Sequence, residues 1–320
     1  MTLNSLSERV PWLWSLGGSL LIWAILMLNA GQLSFGPIVA AIVSGSFLLI
    51  TAIGQSFAMM TAAGNVDLSM PGVITLSAYL SIWLVGGQNE ATWIGLIAGM
   101  GLGALIGILN GLLVALARIP AIIATLAVGY VVTTFCLLAN RELSANDIAP
   151  LLTVVVTQSV FGVPVIALLA GLISALAGFV YFSTGFGRLL LATGQNHQAA
   201  EMAGIPINKV IVRAFVISGA LAGLTGVLLG ARSGGAFLDM GKPYLLLSIG
   251  AVVVGGTPLF GGKVTIIGCA MGALFLILMR TLMPVLGFTG GEVEIAQGGM
   301  IIAVLVIGGI RVGNLLKAEA

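Results

Sequence analysis

The most unusual polar group in this sequence sits in one short stretch, Gly64-Asn65-Val66-Asp67-Leu68-Ser69-Met70-Pro71-Gly72. An acid bracketed by glycines and a proline interrupts an apolar run, and that combination breaks a helix. Irregular backbone at membrane depth survives only where protein or water covers it. Two readings of Asp67 stand side by side. It belongs to a gate or solute pathway, as ionisable groups within a membrane often do. Or the stretch is a cytoplasmic turn, with Asp67 or Ser69 capping the helix that follows. Gln55, Ser56, Asn110 and Thr125 are further polar side chains inside apolar runs. Singly, each suits a hydrogen bond between helices. Together with Asp67 and Ser69 they suit a route for a polar solute.

Other chemistries fail on spacing. Gly255-Gly256-Thr257-Pro258-Leu259-Phe260-Gly261-Gly262-Lys263-Val264 imitates a phosphate loop, but Val264 stands where a hydroxyl must ligate magnesium. A tight turn is the better reading. Gly101, Gly103, Gly107 and Gly111 lie within an apolar run, so close helix packing explains them better than dinucleotide binding. His197 is the single histidine and has no metal-ligand neighbours at the required spacing, so no metal site is expected. No Ser-His-Asp or Cys-His arrangement is present, which argues against an enzyme. Cys136 and Cys269 lie in apolar runs and read as small buried hydrophobes.

The elements that must position these residues are membrane spans. Only 7% of the 320 residues are charged, against about 25% in soluble domains, and the mean hydropathy is +1.19. The net charge of +2 gives no reason to expect a nucleic-acid partner. The fold class is therefore an all-α integral membrane protein, read as a single domain over residues 1–320. A span needs about 20 apolar residues. Ten segments are read as spans, the third and eighth being the shortest: Trp12–Leu28, Ile38–Ala63, Pro71–Val85, Ile94–Leu116, Ala121–Leu138, Pro164–Phe182, Val210–Gly230, Leu245–Gly256, Val264–Met283 and Val293–Gly309. A polar connection, residues 140–161, joins the fifth to the sixth. The second and seventh spans end in Gly-rich polar stretches on opposite faces, as inverted repeats would. With ten spans, Arg9, Arg118, Arg188, Lys209, Arg213, Lys263, Arg311 and Lys317 share the side of both termini. Arg141, Arg232, Lys242 and Arg280 take the other. The excess of cations places both termini in the cytoplasm.

That side also receives the longest polar interruption, residues 184–209. Asn196 can cap a short helix through Gln198, Ala199, Ala200, Glu201 and Met202, with Gly204 as its stop and Pro206 preventing continuation. So short a helix is unstable alone in water, so something must hold it. It reads as a cytoplasmic docking segment.

Gln198-Ala199-Ala200-x-x-x-Gly204 resembles the EAA-x-x-x-G loop of ABC importer permeases, with Gln198 where the family has a glutamate. Gly187-Arg188, Ala192-x-Gly194-x-Asn196, Ala203-Gly204-Ile205 and Ser218-Gly219-x-x-Ala222-Gly223 look like the ribose-type sugar permeases. Asn65-Val66-Asp67-Leu68-Ser69, Asn110-Gly111-Leu112-Leu113-Val114 with Arg118-Ile119-Pro120 and Thr125-Leu126, and the late Gly-Gly turn are similar to stretches of the same family. The resemblance runs from about Gly64 to the C-terminus. It implies a permease subunit of a bacterial inner-membrane importer for a sugar or related polyol. It further implies a cytoplasmic ATPase carrying ATP and Mg, a solute-binding protein, and a second permease chain, identical or paralogous. Arg188, Asn196, Gln198, Ala199, Ala200, Glu201 and Gly204 would then meet the ATPase, and this chain would need no cofactor. The alternative is an ion-coupled secondary transporter, which needs carboxylates at midplane; Asp67 alone would have to serve.

Overall fold

The structure is a computed structural model that describes residues 10–30, 35–143, 147–300, 302, 303 and 306. Its helices, in chain order, are α1 (Leu13–Ala30), α2 (Gly36–Met59), α3 (Met70–Val85), α4 (Thr92–Ala115), α5 (Ala121–Glu142) and α6 (Pro150–Thr157). Then come α7 (Val165–Ser183), α8 (Gly185–Gln195), α9 (His197–Met202), α10 (Ile207–Ser233), α11 (Tyr244–Val254) and α12 (Ile266–Val285). Residues 290–300 form a further helix. A small antiparallel hairpin, Ser159–Val160 with Val163–Pro164, is the sheet among the described residues.

Seven of these helices are long and apolar enough to cross a membrane: α1, α2, α4, α5, α7, α10 and α12, with α4 counted from its leading 3₁₀ turn. The third and eighth expected spans are shorter. α11 has 11 residues, about 16 Å of helix, half a hydrocarbon core. The tenth expected span falls partly outside the described residues. The connection at residues 140–161 is not a plain loop: it contains α6, which packs against α7 and α10, and the first strand of the hairpin. Pro150 at its start supplies a fixed φ where a helix can begin.

α10 is the central helix. It packs on α2, α3 and α4, while α2 packs on α11 and α12. Each half thus has a long helix, a non-helical stretch and a shorter helix: α2, 60–69, α3, and α10, 234–243, α11. The second break meets the first turns of α3. Gly241 N donates to Thr75 Oγ1 at 3.2 Å, and a Cβ on Gly241 would strike the Pro71 backbone. The seam of α4 and α10 is equally close: Gly99, Gly103, Gly107 and Gly111 lie against Gly223, Gly219, Phe215 and Val212. The repeat of four brings one face of α4 to its neighbour. Gly101, grouped with them on sequence, faces open space.

Burial is inverted relative to a soluble protein. Ile97, Leu105, Phe135, Leu172 and Phe179 are exposed on the outer helices, whereas Gln55, Asp67, Asn110 and Thr125 are buried. That is the arrangement a lipid solvent selects, since lipid accepts apolar side chains and cannot satisfy polar ones. Cys136 and Cys269 are buried and unpaired, as expected from their apolar context.

Candidate functional site

The polar segment at residues 184–209 is built by local chemistry. Thr184 opens α8 by accepting from Gly187 N at 3.1 Å. Asn196 then ends α8 and starts α9: its Oδ1 accepts from Ala199 N at 3.0 Å. At the far end Gly204 takes φ +77°, a left-handed conformation that glycine adopts without strain. Its N–H donates to Glu201 O, and Ile205 N donates to Ala200 O. The cap and the stop are the residues the sequence singled out, and the helix between them is six residues long.

A helix this short is held by its seat. Ala200 is 4% exposed and packs with Ala58, Ala115, Ala121, Ile207, Ile211 and Phe215. Those residues lie at the adjoining ends of α2, α4, α5 and α10. Gln198, Glu201 and Met202 face outward, Met202 at 84% exposure, and Arg188 is exposed on α8. The Gly-Gly turn lies beside this layer. Gly261 and Gly262 have φ of +81° and +74°, and a Cβ on Gly194 would strike Met60 O and Gly262 N. The segment that imitates a phosphate loop is thus a backbone contact between two turns.

The pathway candidates divide. Gln55, Asp67, Ser69, Asn110 and Thr125 converge on one knot. Asp67 Oδ1 accepts from Ser69 Oγ at 2.6 Å, Ser69 N at 3.1 Å and Asn110 Nδ2 at 3.4 Å. Its Oδ2 accepts from Ser218 Oγ of α10 at 2.7 Å. Asn110 Nδ2 also donates to Ser69 Oγ at 2.8 Å. Thr125 Oγ1 accepts from Leu68 N at 3.0 Å and donates to Val66 O or Ala121 O. With its amide turned to satisfy both ends, Gln55 donates to Asp67 O at 3.3 Å and accepts from Asp67 N at 3.2 Å. Asn110 Oδ1 has no partner among the described residues.

The knot ties α2, α4, α5 and α10 around the non-helical 60–69 stretch. Asp67 is 2% exposed and every one of its oxygens is occupied by a protein donor. Its side chain closes a local turn on Ser69 N, while Ser69 makes no side-chain cap to α3. Ser56 stands apart: its hydroxyl meets the Tyr181 hydroxyl at 3.0 Å, beside a stack of Tyr181 on Phe57. Ser218 was not among the pathway candidates. Its position 151 residues from Asp67 leaves no local signal for the pairing. Among the described residues no group of His, Cys, Asp and Glu could hold a metal ion.

A family model described as branched-chain amino acid transport system / permease component matches residues 37–309. The ribose import permease protein of Haemophilus influenzae is 30% identical over 292 residues, 90% of this chain and 89% of that protein. The fructose import permease protein of Rhizobium meliloti is 29% identical, covering 71% of this chain and 66% of its own. The autoinducer 2 import system permease protein of Escherichia coli strain SMS-3-5 is 29% identical, covering 83% and 77%. No solved structure matches the chain significantly. The matched span takes in the docking segment, the Asp67 knot and the glycine seam together, and the chain belongs to this family of transport-system membrane permeases.

Proposed function

We propose that this chain is the translocating subunit of an ATP-driven importer for a sugar or related neutral hydroxylated solute. The observation that carries the reading is α9: a capped six-residue helix seated on the ends of α2, α4, α5 and α10 with its charged and apolar side chains outward. Arg188, Gln198, Ala199, Glu201 and Gly204 form the ATPase-docking surface, with Asn196 capping α9 and the buried Ala200, expected there from the sequence, seating it instead. ATP and Mg are bound by that partner, a solute-binding protein delivers the substrate, and two permease chains, identical or paralogous, flank the route. Both termini and α9 are cytoplasmic, in keeping with the cation excess on that side. The relatives named for ribose and fructose support the sugar class over the amino acids of the family description.

The ion-coupled alternative needs a carboxylate that can exchange partners at depth. Asp67 is the only buried acid among the described residues, and its oxygens are committed to protein donors. The deciding experiment co-expresses the chain with its ATPase and measures ATP hydrolysis in proteoliposomes with candidate binding proteins and sugars. The expected result is a stable complex stimulated by one loaded binding protein. Sugar uptake by the permease alone, driven by an ion gradient, would sink the proposal.

A further inference from the structure

Two adjoining cavities are used neither by α9 nor by the Asp67 knot. The larger, about 520 Å³, is lined by Asp239, Lys242, Arg280, Glu294 and Gln297 with apolar neighbours. The smaller, about 380 Å³, adds Ser44, Ser233, Tyr244 and Thr281. They share Pro243 and Arg280, so Arg280 stands where one chamber meets the other. Both volumes fall in the range of small-molecule sites, about 300–1,000 Å³. They lie at the end of α10 remote from α9: that helix runs 27 residues from Ile207 to Ser233, about 40 Å.

The lining is chemically open. Among the described residues no ion pair joins the two cations to the two carboxylates, although Arg280 lies close enough to Tyr244 to act on its hydroxyl electrostatically. Gln297 is 8% exposed and lines the larger chamber; its Nε2 has no hydrogen-bond partner and is closed off from the chamber, so the amide must turn to meet a solute. A buried amide without a partner is unfavourable unless something fills its place. An anion would meet Asp239 and Glu294, and a cation would meet Lys242 and Arg280. A neutral solute with several hydroxyls meets no such conflict, because each hydroxyl both donates and accepts. Pro243, Leu245, Leu246 and Pro284 supply the apolar wall a sugar's C–H face would rest on.

We propose that these chambers form a subsite on the transport route for a neutral polyhydroxylated solute, with the Gln297 amide turning into the larger chamber to donate to a solute hydroxyl and Arg280 lining the passage between them. This rests on the importer reading above and names where its substrate is held. The test uses the complete importer in proteoliposomes, with tritiated D-ribose and D-fructose as probes. Gln297→Leu removes the amide at similar size, and Arg280→Met removes the charge at similar length. The expected result is a fall in uptake of about tenfold, the scale of one lost hydrogen bond, with heat resistance and binding-protein-stimulated ATP hydrolysis retained. A purely structural amide predicts the reverse for Gln297→Leu: uptake unchanged, because nothing was bonded to it. Native uptake in both variants overturns the subsite while leaving the importer reading intact. An Arg280→Met importer that sheds a permease chain on size exclusion also overturns it, since the cleft would then be an interface. A native importer that moves neither sugar overturns the importer's sugar class, and the subsite with it.

Discussion

Replacing Asp67 by asparagine and by alanine separates a structural knot from a working charge. Asparagine can keep its carbonyl where Oδ1 accepts from Ser69 N, Ser69 Oγ and Asn110 Nδ2. Its amide nitrogen then takes the place of Oδ2, 2.7 Å from Ser218 Oγ. A serine hydroxyl rotates, so Ser218 can accept where it formerly donated. Every bond is kept in neutral form, and the lost charge assistance is partly offset by no longer burying a charge, leaving a net loss of about 1 kcal/mol. Alanine is different. Ser69 N–H, the Ser69 hydroxyl and the Ser218 hydroxyl lose their acceptor, while Asn110 retains Ser69 Oγ. Three buried donors seeking partners, at roughly 1–3 kcal/mol each, amount to ~3–9 kcal/mol. Against a typical total of about 5–15 kcal/mol that is a large share. The assay is the half-life of monodisperse permease at a fixed temperature in detergent, since membrane proteins this size unfold irreversibly, alongside uptake by the reconstituted importer. The asparagine variant should keep both within a few-fold, and the alanine variant should lose heat resistance first. An asparagine variant as heat-resistant as the native chain, fully assembled yet unable to transport, would refute the reasoning and make the charge itself functional.

Further outcomes follow from single contacts. Gly103→Ala should destabilise by about 1–3 kcal/mol, because its Cβ meets Gly219 backbone that cannot yield, while Gly101→Ala faces open space and should stabilise by up to ~1 kcal/mol; comparative heat inactivation checks both. Asn196→Ala should remove about 1 kcal/mol from α9 and weaken ATPase co-purification without lowering the permease's own heat resistance. Tyr181→Phe should lose about 1 kcal/mol with the Ser56 bond yet keep its stack on Phe57, and uptake should be near native. Ala200→Leu should overfill the seat by about 1–3 kcal/mol and displace the short helix rather than the spans beneath, uncoupling ATP hydrolysis from uptake in reconstituted importer.

What could be read from the sequence was local. Asn196, Gly204 and Pro206 act within a few residues, so their types announce α9 and its ends. Apolar runs of span length announce α2, α4, α10 and α12 for the same reason. The eighth expected span, Leu245–Gly256, coincides with α11 to within two residues, and its shortness is set by the 234–243 break and the Gly255–Gly256 turn that bound it. Which of the α4 glycines face α10 depends on a neighbour more than a hundred residues away, so Gly101 entered the group wrongly. Asp67 drew attention through its type and setting, and its choice between pathway and turn depended on donors supplied by α4 and α10. Arg280 and Gln297 gave no signal, because a cavity is a property of packing rather than of any run of residues.

The seat of α9 and the Asp67 knot are not independent features. Ala58 lies three residues beyond Gln55 on α2, and Ala115 five beyond Asn110 on α4. Ala121 lies four before Thr125 on α5, and Ile211 seven before Ser218 on α10. At 1.5 Å per residue, each helix that supports α9 carries a knot residue only about 4–11 Å deeper. The knot grips the 60–69 stretch, which leads into α3, where Pro71 and Thr75 meet Gly241. Gly241 in turn precedes Lys242 and Pro243, which wall the larger cavity. Packed contact therefore runs unbroken from the docking helix to the far cleft. Contiguity becomes coupling when such a network has two arrangements. The stretches 60–69 and 234–243 are where it can acquire them, since their backbone can turn without breaking the hydrogen bonds of a helix. A straight helix through either point would transmit only rigid-body tilt.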